Sequence, residues 1–180
     1  MKIEYTLNKE DILQMLLFMA SLSEQIRRTR RNSHLWGTVN CFLLGMVIGR
    51  TDYWMLGVAF ICIAVVWYFV CPSYMAKRYK KNYSKYVDEN LTKRTEHPTE
   101  LTFGDEYIAG TDYSGESNLK ANIIERIDEV RDYCFMKLNS SSGIVIPLGQ
   151  LPDREEVIGY LKDWAAVHSI PYHTDVDWKW

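Results

Sequence analysis

The sequence has few of the residues that build metal centres and disulfide frameworks. It contains four cysteines and four histidines among 180 residues. No two cysteines have the C-x-x-C spacing of a zinc or redox motif, and the histidines lie in unrelated segments. The same scarcity excludes a secreted disulfide scaffold. We therefore expect no metal and no cofactor, and we expect the cysteines within apolar stretches to be small buried residues.

The chain also lacks a strong net charge, with 21 basic and 23 acidic side chains and a formal charge of −2. This balance excludes a protein that coats nucleic acid and a strongly acidic disordered chain, so no nucleic-acid partner is expected. The charge is unevenly distributed. Residues 1–90 hold 12 basic and 7 acidic side chains, whereas residues 91–180 hold 9 and 16. The two halves are therefore expected to have different surroundings or partners.

Two long stretches lack charged side chains altogether. The 18 residues between Arg31 and Arg50, and the 24 residues between Asp52 and Lys77, contain no Asp, Glu, Lys or Arg. As helices they would be about 27 and 36 Å long, against a hydrocarbon core of about 30 Å. The first stretch is diluted by polar residues near its start. The pattern predicts a two-helix transmembrane hairpin over residues 32–76, and it disfavours the alternative of two buried helices in a soluble core.

Basic residues flank the predicted hairpin at its two outer ends, whereas the connecting turn has only Arg50, which is offset by Asp52. By the positive-inside rule, both chain termini face the cytoplasm of a multi-pass protein in the cell membrane. The bases either bind anionic lipid headgroups or serve only to fix topology. These juxtamembrane basic residues are Arg27, Arg28, Arg30, Arg31, Lys77, Arg78, Lys80 and Lys81.

Small residues recur every four positions in the first apolar stretch, at Gly37, Cys41, Gly45 and Gly49. Such a stripe lets a second helix approach closely within lipid. The partner helix is either the second span of the same hairpin, with Gly57 and Ala64 opposite, or a second copy of the chain. The stripe therefore predicts helix packing and leaves a homo-oligomer open.

The remaining segments predict an α+β protein. Residues 1–31 combine a short alternating strand with an amphipathic helix from about residue 9, which lies on the membrane or docks on the C-terminal domain. Residues 77–97 form a basic linker or helix. Residues 98–180 show about six short strands and then a helix of about 15 residues after a D-x-x-E cap signature at Asp153 and Glu156. They predict a small antiparallel barrel or sheet capped by a C-terminal helix.

The order of these segments resembles the YcxB-like family of bacterial membrane proteins. The resemblance rests on a short IEYTL strand, an apolar helix and a basic-flanked hairpin, followed by LTFGDEYI, IIERIDEVRDYCFMKL, IVIPLGQL and a final helix. It implies a pleckstrin-homology-like (PH-like) cytoplasmic domain on the bacterial inner membrane. The chain has Ala121-Asn122 where the family often has Trp, and Leu148-Gly149 where the family often has basic residues. The family carries no assigned activity, so the resemblance implies a fold and a location but no reaction.

No spacing in the sequence specifies a catalytic site. The candidate nucleophiles and bases are Cys134, Ser140, Ser141, Ser142, His168 and His173, and Ser140 to Gly143 reads better as a hairpin turn. We expect a non-enzymatic, membrane-anchored binding or scaffold module. Its expected partners are membrane lipids around the hairpin and a protein. For the C-terminal domain a protein is favoured over a lipid headgroup, because residues 98–180 hold 7 basic and 15 acidic side chains and an anionic leaflet should repel them. The alternative is an oligomeric membrane accessory or pore-forming component.

Overall fold

The computed structural model describes residues 1–91, 95, 97–112, 115–140, 142–175, 177–178 and 180. The chain divides into two compact units. The first comprises Met1–Met19 with Tyr83–Trp180, and the second comprises Ala20–Asn82. This division differs from the boundaries expected from the sequence, because the N-terminal segment belongs to the unit that holds the C-terminal strands. Residues 92–94 and 96 of the predicted linker, and Ser114 and Ser141 of two predicted turns, lie outside the described residues.

The fold is α+β, with four α-helices and two sheets among the described residues. Two 3₁₀ turns, at Ala121–Ile123 and Leu148–Gln150, lie at the ends of strands. The elements, in chain order, are β1 (Lys2–Thr6), α1 (Lys9–Leu22), α2 (Glu24–Ile48), α3 (Trp54–Asn90), β2 (Pro98–Phe103), β3 (Tyr107–Asp112), β4 (Gly115–Lys120), β5 (Ile124–Val130), β6 (Tyr133–Leu138), β7 (Gly143–Pro147), α4 (Arg154–Val167) and β8 (Tyr172–Thr174).

The first sheet has the order β1-β2-β3-β4 and is antiparallel throughout. Its strand β1 pairs with β2 along its whole length, with Ile3 opposite Leu101. Helices α1, α2 and α3 all lie between these two strands in the sequence. The alternation expected of a half-buried strand is clear in β1, where Ile3 and Tyr5 are buried between exposed neighbours. The three helices are therefore an insertion between two adjacent strands of one sheet.

The second sheet has the order β7-β6-β5-β8, with β8 parallel to β5. The segment around residues 123–130 fits both a strand and a helical face by sequence, and it forms strand β5. In β6 the residues Cys134, Met136 and Leu138 point into the core shared with the first sheet. Helix α4 joins this core, and the Trp164 indole N–H donates to the carbonyl of Gly104 at 2.9 Å. Two facing sheets and one helix thus enclose the main core.

The expected cap of α4 takes a different form in the structure. Asp153 is the residue before the helix, but its side chain makes no capping hydrogen bond. Instead Arg154, in the first turn, donates to the Asp132 carboxylate at 3.0 Å and to the carbonyl of Arg131. The D-x-x-E signature therefore predicted the start of the helix correctly. It did not predict that Arg154, rather than the Asp153 side chain, makes the hydrogen bonds there.

Both faces of the second sheet are covered. Phe135, on the face opposite Cys134 and Met136, is fully buried because α1 packs on it, with the rings of Phe18 and Phe135 stacked at 4.6 Å. Trp178 meets Phe18 edge-on at 5.4 Å, so the C-terminal tail packs back on the same helix. Of the two positions expected for the N-terminal helix, the part up to Met19 is therefore docked on the sheets.

A buried carboxylate fixes the start of α1. Asp11 is 5% exposed and accepts hydrogen bonds from the backbone N–H of Asn8 at 2.7 Å and from the Tyr133 hydroxyl at 3.0 Å. The side-chain amide of Gln150 donates to it at 3.3 Å. A buried carboxylate is tolerated only when donors surround it. These bonds join the helix start to β6 and to the turn before α4.

Within the described residues, one helix, α3, is long and apolar enough to cross a membrane, judged by length and composition. Helix α2 contains the first predicted span but starts eight residues earlier than expected from the apolar run, because Ser23 caps it by accepting from the N–H of Ile26. Its polar residues Asn32, His34 and Asn40 lower its mean hydropathy. Helix α3 contains Pro72.

We expect stability to fall in alkaline solution because of two half-buried tyrosines. Burial, followed by the Asp11 hydrogen bond, raises the pKa of Tyr133 above its ordinary value of 10, and burial raises that of Tyr172. Folding therefore favours the protonated phenols. Their contribution is fully present below about pH 10 and is lost as the pH rises further, because the unfolded chain then ionises first.

The measurement is denaturant unfolding of the full chain in mild detergent at about pH 9 and about pH 11. The double variant Tyr133→Phe, Tyr172→Phe should lose less stability over this interval than the wild type. Lysine titration is common to both proteins and cancels in the comparison. Equal losses would show that neither phenol is held protonated by the fold.

Candidate functional site

The first unit contains a partly enclosed cavity of about 240 Å³ between its two sheets. Its buried walls are largely apolar and come from α1 and both sheets. They are formed by Tyr5 of β1, Leu101 of β2, Ile108 of β3, Leu138 of β6, Val145 of β7, and Ile12 with Met15 of α1. Ile108 is fully buried. A cavity with apolar walls and a few polar groups is the usual form of a small-ligand site, and we take it as the candidate site of this unit.

Glycine in a strand leaves room for the cavity. Gly110 lies in β3 between Leu101 of β2 and Ser117 of β4. A Cβ atom at this position would lie 3.3 Å from Leu101 Cδ2 and 3.1 Å from Ser117 Oγ. A side chain here would therefore reduce the space between the sheets.

Hydroxyl groups line the exposed rim of the cavity. Thr111, Ser117 and Ser142 are exposed, and Thr99 is half-buried. Ser117 donates through its hydroxyl to the carbonyl of Gly110 at 3.3 Å. No lysine, arginine or histidine is among the described residues that line the cavity, and Asp112 is the acidic one. The rim can therefore hydrogen-bond a neutral polar group and offers no counter-charge to an anion.

The small residues predicted for helix packing lie in the second unit, where α2 meets α3. A Cβ atom at Gly45 would lie 2.8 Å from Ile61 Cγ1, and one at Gly57 would lie 2.5 Å from the backbone nitrogen of Gly49. A Cβ atom at Gly37 would lie 2.6 Å from the indole nitrogen of Trp67. At Gly45 and Gly57 the two backbones approach so closely that a side chain does not fit without movement, whereas at Gly37 the neighbour is the Trp67 side chain. The fourth member of the stripe, Cys41, is half-buried.

The two helices are also joined by a hydrogen bond that the stripe of small residues does not predict. Pro72 has no N–H, so the carbonyl of Tyr68, four residues earlier, loses its normal helical donor. His34 Nε2 lies 2.8 Å from that carbonyl, and the His34 and Tyr68 rings are 4.7 Å apart. The ring nitrogen that bears the proton can donate here. The proline in an apolar run was the available sequence signal for a carbonyl in need of a partner.

The basic residues that the sequence predicts to lie beside the membrane fall on two helices of the second unit. Arg27, Arg28 and Arg31 share one face of α2 with Glu24, whose carboxylate pairs with Arg28. Arg30 is half-buried. Lys77, Arg78, Lys80 and Lys81 are exposed and follow one another on α3.

The residues considered as catalytic candidates do not form an active site that the described residues reveal. Cys134 is fully buried, and burial is the main cause that raises the pKa of its thiol. The hydroxyl oxygens of Ser140 and Ser142 lie 2.7 Å apart and bond to each other in the β6–β7 turn, whereas Ser141 is outside the described residues. Nor do the described residues contain a group of three or more potential metal ligands.

One buried histidine atom has no partner among the described residues. His168 Nε2 is buried without a hydrogen bond, and its ring lies 4.5 Å from that of Trp164 at the end of α4. His173 is exposed in β8.

No protein-family model, curated protein or solved structure matches this chain.

The glycine contacts predict opposite effects for one substitution at two helical positions. Alanine is favoured over glycine by about 1 kcal/mol inside a helix. Gly159→Ala in α4 meets nothing within 4 Å, so it should raise the free energy of unfolding by about 0.5–1 kcal/mol. Gly57→Ala would place a methyl group 2.5 Å from the Gly49 nitrogen, so it should lower stability by about 1–3 kcal/mol.

Both variants can be compared with the wild type by thermal and denaturant unfolding in the same mild detergent. Because the intrinsic helix preference is the same at both positions, the difference in sign isolates the helix contact. Two stabilised variants would mean that α2 and α3 do not pack closely at Gly57.

Burial of the Cys134 thiol predicts very slow modification. In a variant whose other cysteines are replaced by serine, maleimide labelling at neutral pH should become rapid only on unfolding. In the folded state the reagent cannot reach the thiol, and the raised pKa keeps the thiol protonated. A matched variant that carries Ser140→Cys in place of Cys134 should label quickly, because Ser140 is exposed. Equally fast labelling at both positions would restore Cys134 as a candidate nucleophile.

Proposed function

We propose that this protein is a membrane-anchored binding module: α2 and α3 form a transmembrane hairpin, and the two-sheet unit binds a partner in the cytoplasm. One observation carries the hairpin. Strands β1 and β2 pair in one sheet, although α2 and α3 lie between them in the sequence. If α3 crosses the membrane, a second crossing between β1 and β2 must bring the chain back to the same side. Among the described elements between β1 and α3, α2, with 25 residues, is the helix long enough for it.

The exposure of α3 supports a lipid environment. Only 17% of its most apolar window is buried, whereas a core helix of a soluble protein is mostly buried. Large apolar side chains on both helices are exposed, with Phe69 at 72%, Met55 at 71% and Val47 at 65%. An apolar surface of this extent is typical of a membrane or interaction surface.

Internal hydrogen bonds reduce the cost of placing the polar start of α2 in lipid. The Asn40 amide donates to the carbonyl of Trp36 at 2.8 Å, and the Thr38 hydroxyl donates to the carbonyl of His34 at 2.9 Å. His34 itself bonds to Tyr68. Hydropathy scales count these residues as polar, but in lipid a satisfied polar group costs much less than an unsatisfied one. The low mean hydropathy of α2 is therefore compatible with a span.

Charge supports the orientation. The arginines of α2 and the basic residues Lys77 to Lys81 of α3 lie towards the same end of the helical pair, because Gly37 lies against Trp67 and Gly49 against Gly57. The connecting turn between Ile48 and Trp54 has Arg50 and Asp52. By the positive-inside rule the basic end is cytoplasmic, together with both termini.

The strand order supports the PH-like and YcxB-like proposals. A four-stranded antiparallel meander faces a second sheet whose first three strands form another meander, and α4 follows them. Strand β8 and the helical insertion after β1 are additions to this arrangement of two meanders and a C-terminal helix. A protein partner is favoured over anionic lipid because the region from residue 98 carries an excess of eight acidic side chains. The oligomeric alternative is less favoured because Gly45 and Gly49 already lie against α3.

Cysteine accessibility in intact cells tests the topology. In a background that lacks native cysteines, Thr51→Cys in the connecting turn should react with an impermeant maleimide added outside. Glu4→Cys in β1 and Ser140→Cys in the β6–β7 turn should react only after permeabilisation. All three positions are exposed, so the difference reports the side of the membrane.

Two results would contradict the proposal. Reaction of all three positions under the same condition would remove the hairpin. Reaction of Glu4→Cys and Ser140→Cys on opposite sides would mean a single crossing, and it would also contradict the pairing of β1 with β2.

A further inference from the structure

The cavity between the sheets has room for a small ligand. Its volume of about 240 Å³ exceeds the cavity of about 150 Å³ that holds benzene in an apolar interior. It falls below the range of about 300–1,000 Å³ that is usual for drug-sized molecules. Protein interiors are otherwise close-packed, with few voids larger than a water molecule. An alkyl chain fits these limits better than a fused ring system or a peptide helix.

The walls select an apolar group. Ile12 and Ile108 are almost fully buried, and Leu101, Leu138 and Met15 are at most 9% exposed. These side chains come from α1 and from both sheets. Filling the cavity with an apolar chain would restore the van der Waals contacts that the walls lack.

The rim selects the head of the ligand. Hydroxyl groups of Thr99, Thr111, Ser117 and Ser142 can donate and accept hydrogen bonds, as a hydroxyl-bearing head requires. A carboxylate or phosphate head would find no basic residue among the described lining residues. Desolvation without a counter-charge makes an anionic head unfavourable.

We propose that this cavity is a binding site for an uncharged single-chain amphiphile, with its alkyl chain between the sheets and its hydroxyl-bearing head at the rim. An alcohol or a monoacylglycerol with a chain of about eight to ten carbons has this chemistry and this size. The site goes beyond the membrane-anchored function and does not depend on it, because all its residues belong to the two-sheet unit.

Photocrosslinking of the full chain in phosphatidylcholine nanodiscs tests the site. The probe is decanol with a diazirine in its chain, because a cavity of about 240 Å³ holds about ten carbons on the scale set by benzene. Crosslinked peptides are identified by mass spectrometry. We expect saturable labelling of β2, β3 and β6, removed by excess unlabelled decanol. Decanoic acid with the same diazirine should label these strands about tenfold less, which corresponds to about 1.4 kcal/mol. Labelling of α2 and α3 by dissolved probe is an internal reference if these helices lie in lipid.

Variants separate the site from nonspecific partitioning. Gly110→Val fills the space beside Leu101 and should reduce labelling of the strands about tenfold while leaving the helices unchanged. Gly159→Ala, in α4 and away from the cavity lining, is the matched glycine control and should label like the wild type. Near-ultraviolet circular dichroism checks that each variant is folded. If Gly110→Val does not fold, Ser142→Ala with Thr99→Val replaces it and should reduce the preference for the alcohol over the acid.

Three results would overturn the proposal: strand labelling that excess decanol does not reduce, equal labelling by alcohol and acid, or unchanged labelling in folded Gly110→Val. None of them bears on the hairpin, which the cysteine experiment tests separately.

Discussion

The pairing of β1 with β2 constrains the rest of this structure. Five consecutive register pairs, from Lys2 opposite Thr102 to Thr6 opposite Pro98, bring together strands separated by three helices. Closing so long an insertion costs conformational entropy, although the cost grows only slowly with its length. The buried side chains of Ile3 and Tyr5 in the shared core offset that cost. The strand pair thereby makes the helical segment a loop with both ends held in one sheet, and this leads to the even number of crossings that we propose.

The base of the insertion is fixed by polar and aromatic contacts as well as by the strand pair. Asp11, at the start of α1, accepts hydrogen bonds from Tyr133 and Gln150. Phe18, about two turns further along the helix, stacks on Phe135. Val87, near the end of α3, packs with Ile12 and Leu17. Both ends of the insertion therefore meet in a second small core, separate from the one between the sheets. Phe135 is buried on its own face of β6 because the Phe18 ring of α1 stacks on it.

Local sequence patterns predicted most of the helices and strands. They did not predict the contacts between elements that are distant in the sequence. The alternation of Cys134, Met136 and Leu138 with their neighbours predicts a strand, because a strand has period two wherever it lies. It does not predict that Phe135, on the other face, is buried too. Ile127 and Val130 fit both periods, and only pairing with β6 distinguishes the strand. The partner of β1 could not be predicted, because no local pattern encodes which distant strand it meets. The cavity was missed for the same reason: its walls come from α1 and both sheets, and Gly110 alone gave a local sign of it.

The second helix illustrates why mean hydropathy and hydrogen bonding can disagree. Mean hydropathy counts His34, Thr38 and Asn40 as polar residues whether or not their hydrogen-bonding groups have partners. In the structure each bonds to a backbone carbonyl, and His34 bonds to the carbonyl that Pro72 deprives of a donor. The proline in one helix and the histidine in the other are therefore complementary. Without His34 the Tyr68 carbonyl would lack a donor, and without that free carbonyl the His34 ring nitrogen would lack this partner. A polar residue near a span is thus better assessed by the carbonyl it can reach than by its transfer free energy.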